Sequence, residues 1–338
     1  MMENRHVDFK STPILDIQYV NRLHREYGVS LSYLFEEFDV KPRTYYYKTR
    51  LFLDTSSLSK KKHSNSKIRG FCYTVNGDKV PDEFVIAELI KIKEHLNMYV
   101  SKHYLKTLGS TKLCAYFKKE YGIIINHKKM RHLKHEIGLV GKYTNHSPHP
   151  RRGPQKHVAT APNQFWEMDI KYFKTKDGYV QVFSIIDTFD RQIVGSYIGP
   201  SCKSKDIIKT IFEALRYRGI SGKELIIRSD NGTQFTSLLT ENFMRNVGIL
   251  HEFGYPHNPD CQAFIESFHS SVQREFVPLN TFTNISDFTM KYKVYLDFYL
   301  NIRPHGSLNY LTPNEFHVSY KENRIEIKEN KEKLIIFE

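Results

Sequence analysis

Apolar positions recur along this chain with two different periods. Up to about residue 142 they stand three or four apart, the spacing of a helical face. Leu15, Tyr19, Leu23 and Tyr27 make a stripe that predicts a helix over 15–27, and Gly28 is a natural stop. Ser30 can cap a second short helix, with Lys41-Pro-Arg-Thr leading into Tyr45–Tyr47. Behind Pro81-Asp82-Glu83, the positions Val85, Leu89, Ile92 and Leu96 predict another helix. Ser110 can cap a helix that runs to about Tyr121 and ends at Gly122. Asn126 can cap the next, HKKMRHLKHEI, which ends at Gly138 and buries Met130, Leu133 and Ile137. After Pro162 the texture changes. NQFWEMDIKYF, YVQVFSIIDTFD and QIVGSYIG read as three strands, followed by a helix over 203–217, a buried strand at 225–229, a helix over 237–247 and a short strand in ILHEF. Further helices are expected from about Asp260 to Phe276 and across 286–300. The fold class is therefore α/β, a mixed sheet with flanking helices, preceded by helical segments.

This pattern divides the chain into an N-terminal helix-turn-helix-like segment (1–53), a Ser/Lys/Asn-rich linker (54–80) and a basic helical domain (81–142). A Pro-rich basic linker (143–161), an α/β core with a C-terminal helix (162–320) and a mobile charged tail (321–338) complete it. Charge sharpens the picture. The 338 residues carry 50 Lys+Arg against 37 Asp+Glu, and Ser101–Lys156 alone holds 13 basic residues against the two acids Glu120 and Glu136. Such asymmetry points to a polyanion, with double-stranded DNA the leading candidate. The helix at 127–137 buries one face and presents Lys128, Lys129, Arg131 and Lys134 on the rest, which suits a DNA groove. A helix on the outside of a bundle is the competing reading. Lys112, Arg151 and Arg152 are further candidates for phosphate contact. No stretch approaches the roughly 20 apolar residues of a spanning helix. The four scattered cysteines form no metal or disulfide framework, so a cytoplasmic, nucleoid-associated protein with no membrane partner is expected.

Four acids, Asp169, Asp187, Asp230 and Glu266, stand where strand ends or helix starts should place them. Asp169 interrupts an apolar strand, Asp230 follows a buried strand and precedes Asn-Gly, and Glu266 lies early in a helix. A lone acid at a strand end is more often a turn former. Three that converge repel one another, and a divalent cation relieves that repulsion. Oxygen donors without Cys or His at fixed spacing suit Mg²⁺ or Mn²⁺ rather than zinc.

Trp166-Glu-Met-Asp169-Ile, Arg228-Ser-Asp230-Asn-Gly-Thr-Gln-Phe235 and Phe264-Ile-Glu266-Ser-Phe268, with 60 and 35 residues between the acids, resemble the DDE core of retroviral integrases and insertion-sequence transposases. The block from Tyr299 to Phe316, with Arg303-Pro304-His305 and Thr312-Pro313, resembles the C-terminal signature of two-frame insertion sequences, whose second-frame product carries that core. The likeness covers about residues 100–318. It implies an RNase H-like fold, with Asp169, Asp230 and Glu266 as the metal-binding catalytic acids. It also implies two Mg²⁺ or Mn²⁺ ions about 3.5–4 Å apart, cleavage of DNA ends followed by strand transfer, and at least a homodimer on DNA. Asp187 matches no catalytic position and is read as structural. His269, one turn after Glu266, can face the site or be an exposed helix histidine; it and Arg274 are candidate DNA contacts. Gln273 stands where the family has a basic residue, and Cys261 and Gln262 depart from the run before the Glu. Tyr172 is read as strand packing and Trp166 as core. A DNA-binding regulator or inactive relic with a non-catalytic RNase H-like domain is the alternative, against which the complete acid triad weighs.

Overall fold

The computed structural model describes residues 15–43, 45–46, 70–139, 159–254, 262–330 and 333–337, in two compact units, Met1–Ile68 and Arg69–Glu338. In the first, helices α1 (Leu15–Tyr27) and α2 (Leu31–Glu37) are separated by Gly28 at φ +66°, and the Ser30 hydroxyl accepts from the Tyr33 amide at the start of α2. The expected apolar stripe is turned by one residue. Tyr19 and Tyr27 are exposed, and Val20 and Leu34 are buried with Tyr45. Tyr19 and Tyr27 stay at the rim of this small core with their hydroxyl ends in water.

The second unit opens with a hairpin, β1 (Phe71–Thr74) and β2 (Lys79–Pro81), flanked on the other side of β1 by β3 (Ile123–Ile124). This corrects the reading of 54–80 as linker throughout, of which 54–69 lies outside the described residues. Asn76-Gly77 makes the turn, with Gly77 at φ +91°. Helix α3 (Asp82–Glu94) buries Val85, Leu89 and Ile92, while Leu96 lies past its end and is exposed. Helix α4 (Ser110–Tyr121) is preceded by Gly109 as its cap rather than by Ser110, and Gly122 ends it at φ +65°. Asn126 caps α5 (His127–Glu136) by accepting from the Lys128 amide at 2.8 Å.

These helices do not make a domain of their own. Tyr104, fully buried in a 3₁₀ turn over Ser101–Thr107, sets its ring against Phe276, Tyr295 and Phe298 at centroid distances of 6.1, 5.3 and 5.6 Å. One cluster of buried side chains runs from Val85 through Phe117 and Met130 to Phe288 and Tyr299. Local spacing could not reveal this, because each half supplies aromatics that only the other half covers.

Five strands form the main sheet: β4 (Phe165–Thr175), β5 (Gly178–Asp187), β6 (Ile193–Gly199), β7 (Ile226–Ser229) and β8 (Leu250–Phe253), in the order β6-β5-β4-β7-β8. The first three pair antiparallel, and β4-β7 and β7-β8 pair parallel. This is the RNase H-like mixed sheet. Alternation along β4 sends Trp166, Met168 and Ile170 to one face. There they meet Ile207, Ile211 and Leu215 of α6 (Ser204–Arg218) and Met244 of α7 (Leu238–Val247). Gly195 lets α6 approach, since a Cβ there would stand 3.0 Å from the side chains of Ile185 and Thr210. Tyr172 shares that face near the hairpin end of β4 and is exposed rather than packed. The other face packs on α8 (Ala263–Ser271), which continues through a π-helical turn at Val272–Phe276, and on α9 (Ile285–Asn301). Helix α10 (Pro313–Lys321) starts in a capping box of Thr312 and Glu315. The tail expected to be mobile contains an antiparallel pair, β9 (Glu326–Asn330) and β10 (Lys333–Phe337), the β-branched Ile335 and Ile336 favouring extended chain.

Candidate active site

The parallel ladder between β4 and β7 pairs Trp166 with Ile227 and Glu167 with Arg228. Asp169 lies two residues past the last pair on β4, and Asp230 directly follows the end of β7 at Ser229. Asp169 is partly buried and Asp230 is more exposed. Burial raises the Asp230 carboxyl above its ordinary value and the charge of Asp169 adds to the shift, against a hydrogen bond from the Gly232 amide. That amide donates to Asp230 Oδ1 at 3.0 Å, and a Cβ on Gly232 would stand 3.0 Å from the same oxygen. The Ser229 hydroxyl donates to the Asp230 carbonyl at 2.8 Å and lies 2.9 Å from His251 Nε2. His251 Nδ1 is 2.7 Å from Glu241. This Ser–His–Glu connectivity resembles a nucleophile relay, but Ser229 is fully buried; its place is to hold the strand end from which Asp230 projects.

Helix α8 is fastened to the same strands by two side chains not singled out for that part in the sequence. Glu167, buried, accepts at Oε2 from the amides of Phe264 and Ile265, both at 2.9 Å. Burial outweighs those bonds and pushes its carboxyl up to about 7. Gln262 donates from Nε2 to the Met168 carbonyl at 3.2 Å. The signal for Glu167 was an acid beside Trp166 in an otherwise apolar strand. His269 is buried rather than exposed, with Nδ1 3.2 Å from Asp169 Oδ2. Glu266 sits on the exposed side of α8. Among the described residues no three Asp, Glu, His or Cys side chains are grouped to hold a metal ion. Asp169 and Asp230 stand near enough for the charge of one to act on the other. The two strand-borne carboxylates, oxygen donors under mutual repulsion, fit a hard divalent cation. Cys261 lies outside the described residues.

The basic candidates fall into two groups. Lys128 and Arg131 are exposed on α5, and Arg274 is exposed beyond α8. Lys129 and Lys134, expected on the open face, are engaged internally. Lys129 reaches Asp82 at 2.6 Å and the Phe71 carbonyl at 2.8 Å. Lys134 is buried and donates to the Leu108 carbonyl at 2.6 Å. Lys129 thereby ties α5 to the start of α3 and to the hairpin, and Lys134 ties it to the segment before α4. Lys112 is half-buried, 4.0 Å from Glu275. Arg151 and Arg152 lie outside the described residues.

The Arg-Pro-His block acquires a structural part. Buried Arg303 donates to both carboxylate oxygens of Glu275, each at 2.7 Å, and to Ser271 at 3.0 Å. Asp187 is also structural: with Asp190 it takes Arg218 Nη2 at 2.5 and 2.7 Å, and it accepts from the Asn163 and Phe189 amides.

Two models described as Integrase core domain match residues 159–259 and 247–313. The transposase for insertion sequence element IS904 from Lactococcus lactis subsp. lactis is 29% identical over 251 residues, covering 69% of this chain and 93% of the relative. The transposase for IS629 from Shigella sonnei is 27% identical over 166 residues, covering 49% and 55%. Among solved structures, the HTLV-2 integrase catalytic core domain in complex with magnesium aligns at 18% identity and a TM-score of 0.38, covering 47% of this chain and 99% of that one. The chain thus has a retroviral-integrase-like core, of the class that acts by polynucleotidyl transfer. Over two thirds of its length it is similar to a transposase of the insertion-sequence type.

Proposed function

We propose that this protein is a transposase that cleaves the DNA ends of its own element and joins them to target DNA, with Asp169, Asp230 and Glu266 as its catalytic acids. The observation that carries the reading is that Asp169 on β4 and Asp230, directly after the parallel neighbour β7, stand near enough for the charge of one to act on the other, with the start of the Glu266 helix bonded to Glu167 and to the Met168 carbonyl of β4. Asp169 and Asp230 would hold Mg²⁺ or Mn²⁺, with Glu266 as the third acid; when bound, two such ions activate an attacking hydroxyl and stabilise the leaving oxygen. The chain's own residues prepare this. His269 fixes one oxygen of Asp169, and the Gly232 amide orients Asp230. The buried Ser229–His251–Glu241 row keeps the strand end rigid. Lys128, Arg131 and Arg274 are the exposed cations offered to double-stranded DNA. Two ends joined in one event call for at least two copies of the chain on DNA.

The test is cleavage and joining of a labelled duplex carrying the element's end, in Mg²⁺, Mn²⁺ or EDTA, with wild type beside Glu266→Gln. Metal-dependent nicking and joined product, both lost in the variant, are expected. Tight binding without chemistry under any metal would instead make the protein a DNA-binding regulator.

A further inference from the structure

A cavity of about 250 Å³ lies beside α8, on the side of Ser267 and Ser271 rather than of the strand-borne acids. Its wall carries four cations, Lys112, Arg191, Arg274 and Arg303, and no acid. The nearest carboxylate, Glu275, is occupied by Arg303 and stands 4.0 Å from Lys112. Arg191 is the informative member. It sits in the β5–β6 turn at φ +61°, a conformation that L side chains rarely adopt. Its guanidinium lies 3.9 Å from the centroid of the Phe264 ring. Nη1 is buried without a hydrogen-bond partner among the described residues. A buried donor left unmatched is costly and asks for an acceptor. The crowding of charge shows in Lys112, which burial and the neighbouring Arg303 and Arg274 push down to about 8. It shows also in His305, held well below its ordinary value by burial and by Arg303.

We propose that this cavity is a seat for one phosphate group of the DNA backbone, gripped by Arg191 and Arg274 and balanced by Lys112. The inference rests on DNA being the substrate. Guanidinium forks match phosphate oxygens in pairs, which a halide cannot offer. A water takes roughly 30 Å³, so the volume admits a phosphate group with a few waters. A stacked base is excluded, because Arg191 already covers the Phe264 ring. Ser267 adjoins Glu266, so a phosphate held here fixes the strand against the helix that carries the third acid. Arg303 is the frame of the seat rather than its grip, being committed to Glu275.

The test uses the full chain and a fluorescent duplex bearing the element's terminal repeat, read by anisotropy across a salt series. Methylphosphonate linkages are placed one at a time along each strand, and wild type is compared with Arg191→Gln and Arg274→Gln. One backbone position is expected to weaken wild-type binding when neutralised and to have no further effect in either variant. The slope of log K against log salt should fall by about one in each. An unchanged slope, with the same sensitive positions in all three proteins, overturns the proposal. Arg274 is exposed, so its variant keeps the test open if Arg191→Gln does not fold. In a second arm, thermal melts compare inorganic phosphate with chloride at equal ionic strength. Protection by free phosphate that Arg191→Gln abolishes, without any change in the linkage scan, overturns the assignment to DNA in favour of a free anion. Cleavage is scored separately: activity with no cavity signal refutes the seat alone, and loss of DNA binding by wild type refutes the function on which it rests.

Discussion

Glu167→Ala removes the acceptor for two amides, those of Phe264 and Ile265, in the first turn of the helix that bears Glu266. Two hydrogen bonds to a carboxylate are worth about 1.5–3 kcal/mol each when both partners are otherwise satisfied. Against this stands the cost of burying the charge, which the rise of the carboxyl from 4.5 to about 7 expresses. At about 1.4 kcal/mol for each pH unit of displacement, that cost is about 3 kcal/mol once the group is ionised. The sign follows from the direction of the shift. The folded state holds the proton more tightly, so the stability that protonated Glu167 contributes is fully present below about pH 4.5. It is lost as pH rises through about 7. Alanine should therefore cost about 2–4 kcal/mol at pH 5, where hydrogen bonding survives without the charge penalty. Glu167→Gln keeps an acceptor oxygen and removes the titration, so it should lie close to wild type at pH 5 and gain on it by pH 8. Urea unfolding followed by tryptophan fluorescence is the assay. The single tryptophan, Trp166, is fully buried next to Glu167 and reports this unit alone. Equal pH slopes for wild type and the Gln variant, or an alanine penalty under about 0.5 kcal/mol, the size of an ordinary surface change, would refute the reasoning.

Gly232→Ala places a methyl 3.0 Å from Asp230 Oδ1, so DNA cleavage should collapse while the melting curve and DNA affinity stay near wild type. Neutralising Lys128 and Arg131 should flatten the salt dependence of DNA binding by roughly one per lost phosphate contact. Lys134→Met should leave that slope alone and lower stability by about 1–3 kcal/mol, since the Leu108 carbonyl loses its donor; salt titrations and denaturation of the same proteins separate the two. Arg303→Leu strands Glu275 in the interior and should cost about 3–5 kcal/mol in urea.

Much of the sheet domain was legible because its signals are local. The three aromatic and β-branched runs after Pro162 became β4, β5 and β6, and the acid placed after LIIRS did emerge at a strand end beside Asp169. The hairpin at 71–81 was missed although Asn76-Gly77 marks it, because strands of four and three residues are lost in a Ser- and Lys-rich neighbourhood. The charge on α5 was overcounted for another reason. Lys129 and Lys134 spend theirs on Asp82 and the Leu108 carbonyl, and helix periodicity separates apolar from polar faces without telling a solvated cation from an engaged one. The pairing of Glu167 with amides 97 and 98 residues away could not be read locally, nor could the unmatched Arg191. The position of Glu266 relative to the strand acids is a matter of tertiary geometry, which three motifs in the right order do not fix.

The ring of Tyr104 among Phe276, Tyr295 and Phe298 bears on how this protein can be divided and inherited. The basic helices and the sheet are not two cassettes joined by a tether. A fragment beginning at residue 162 would leave an aromatic wall facing water, the kind of contiguous apolar patch that drives association. The smallest part to behave as a soluble molecule then starts near residue 70. Exchange of the basic helices between relatives would succeed only where the wall beneath them was exchanged as well.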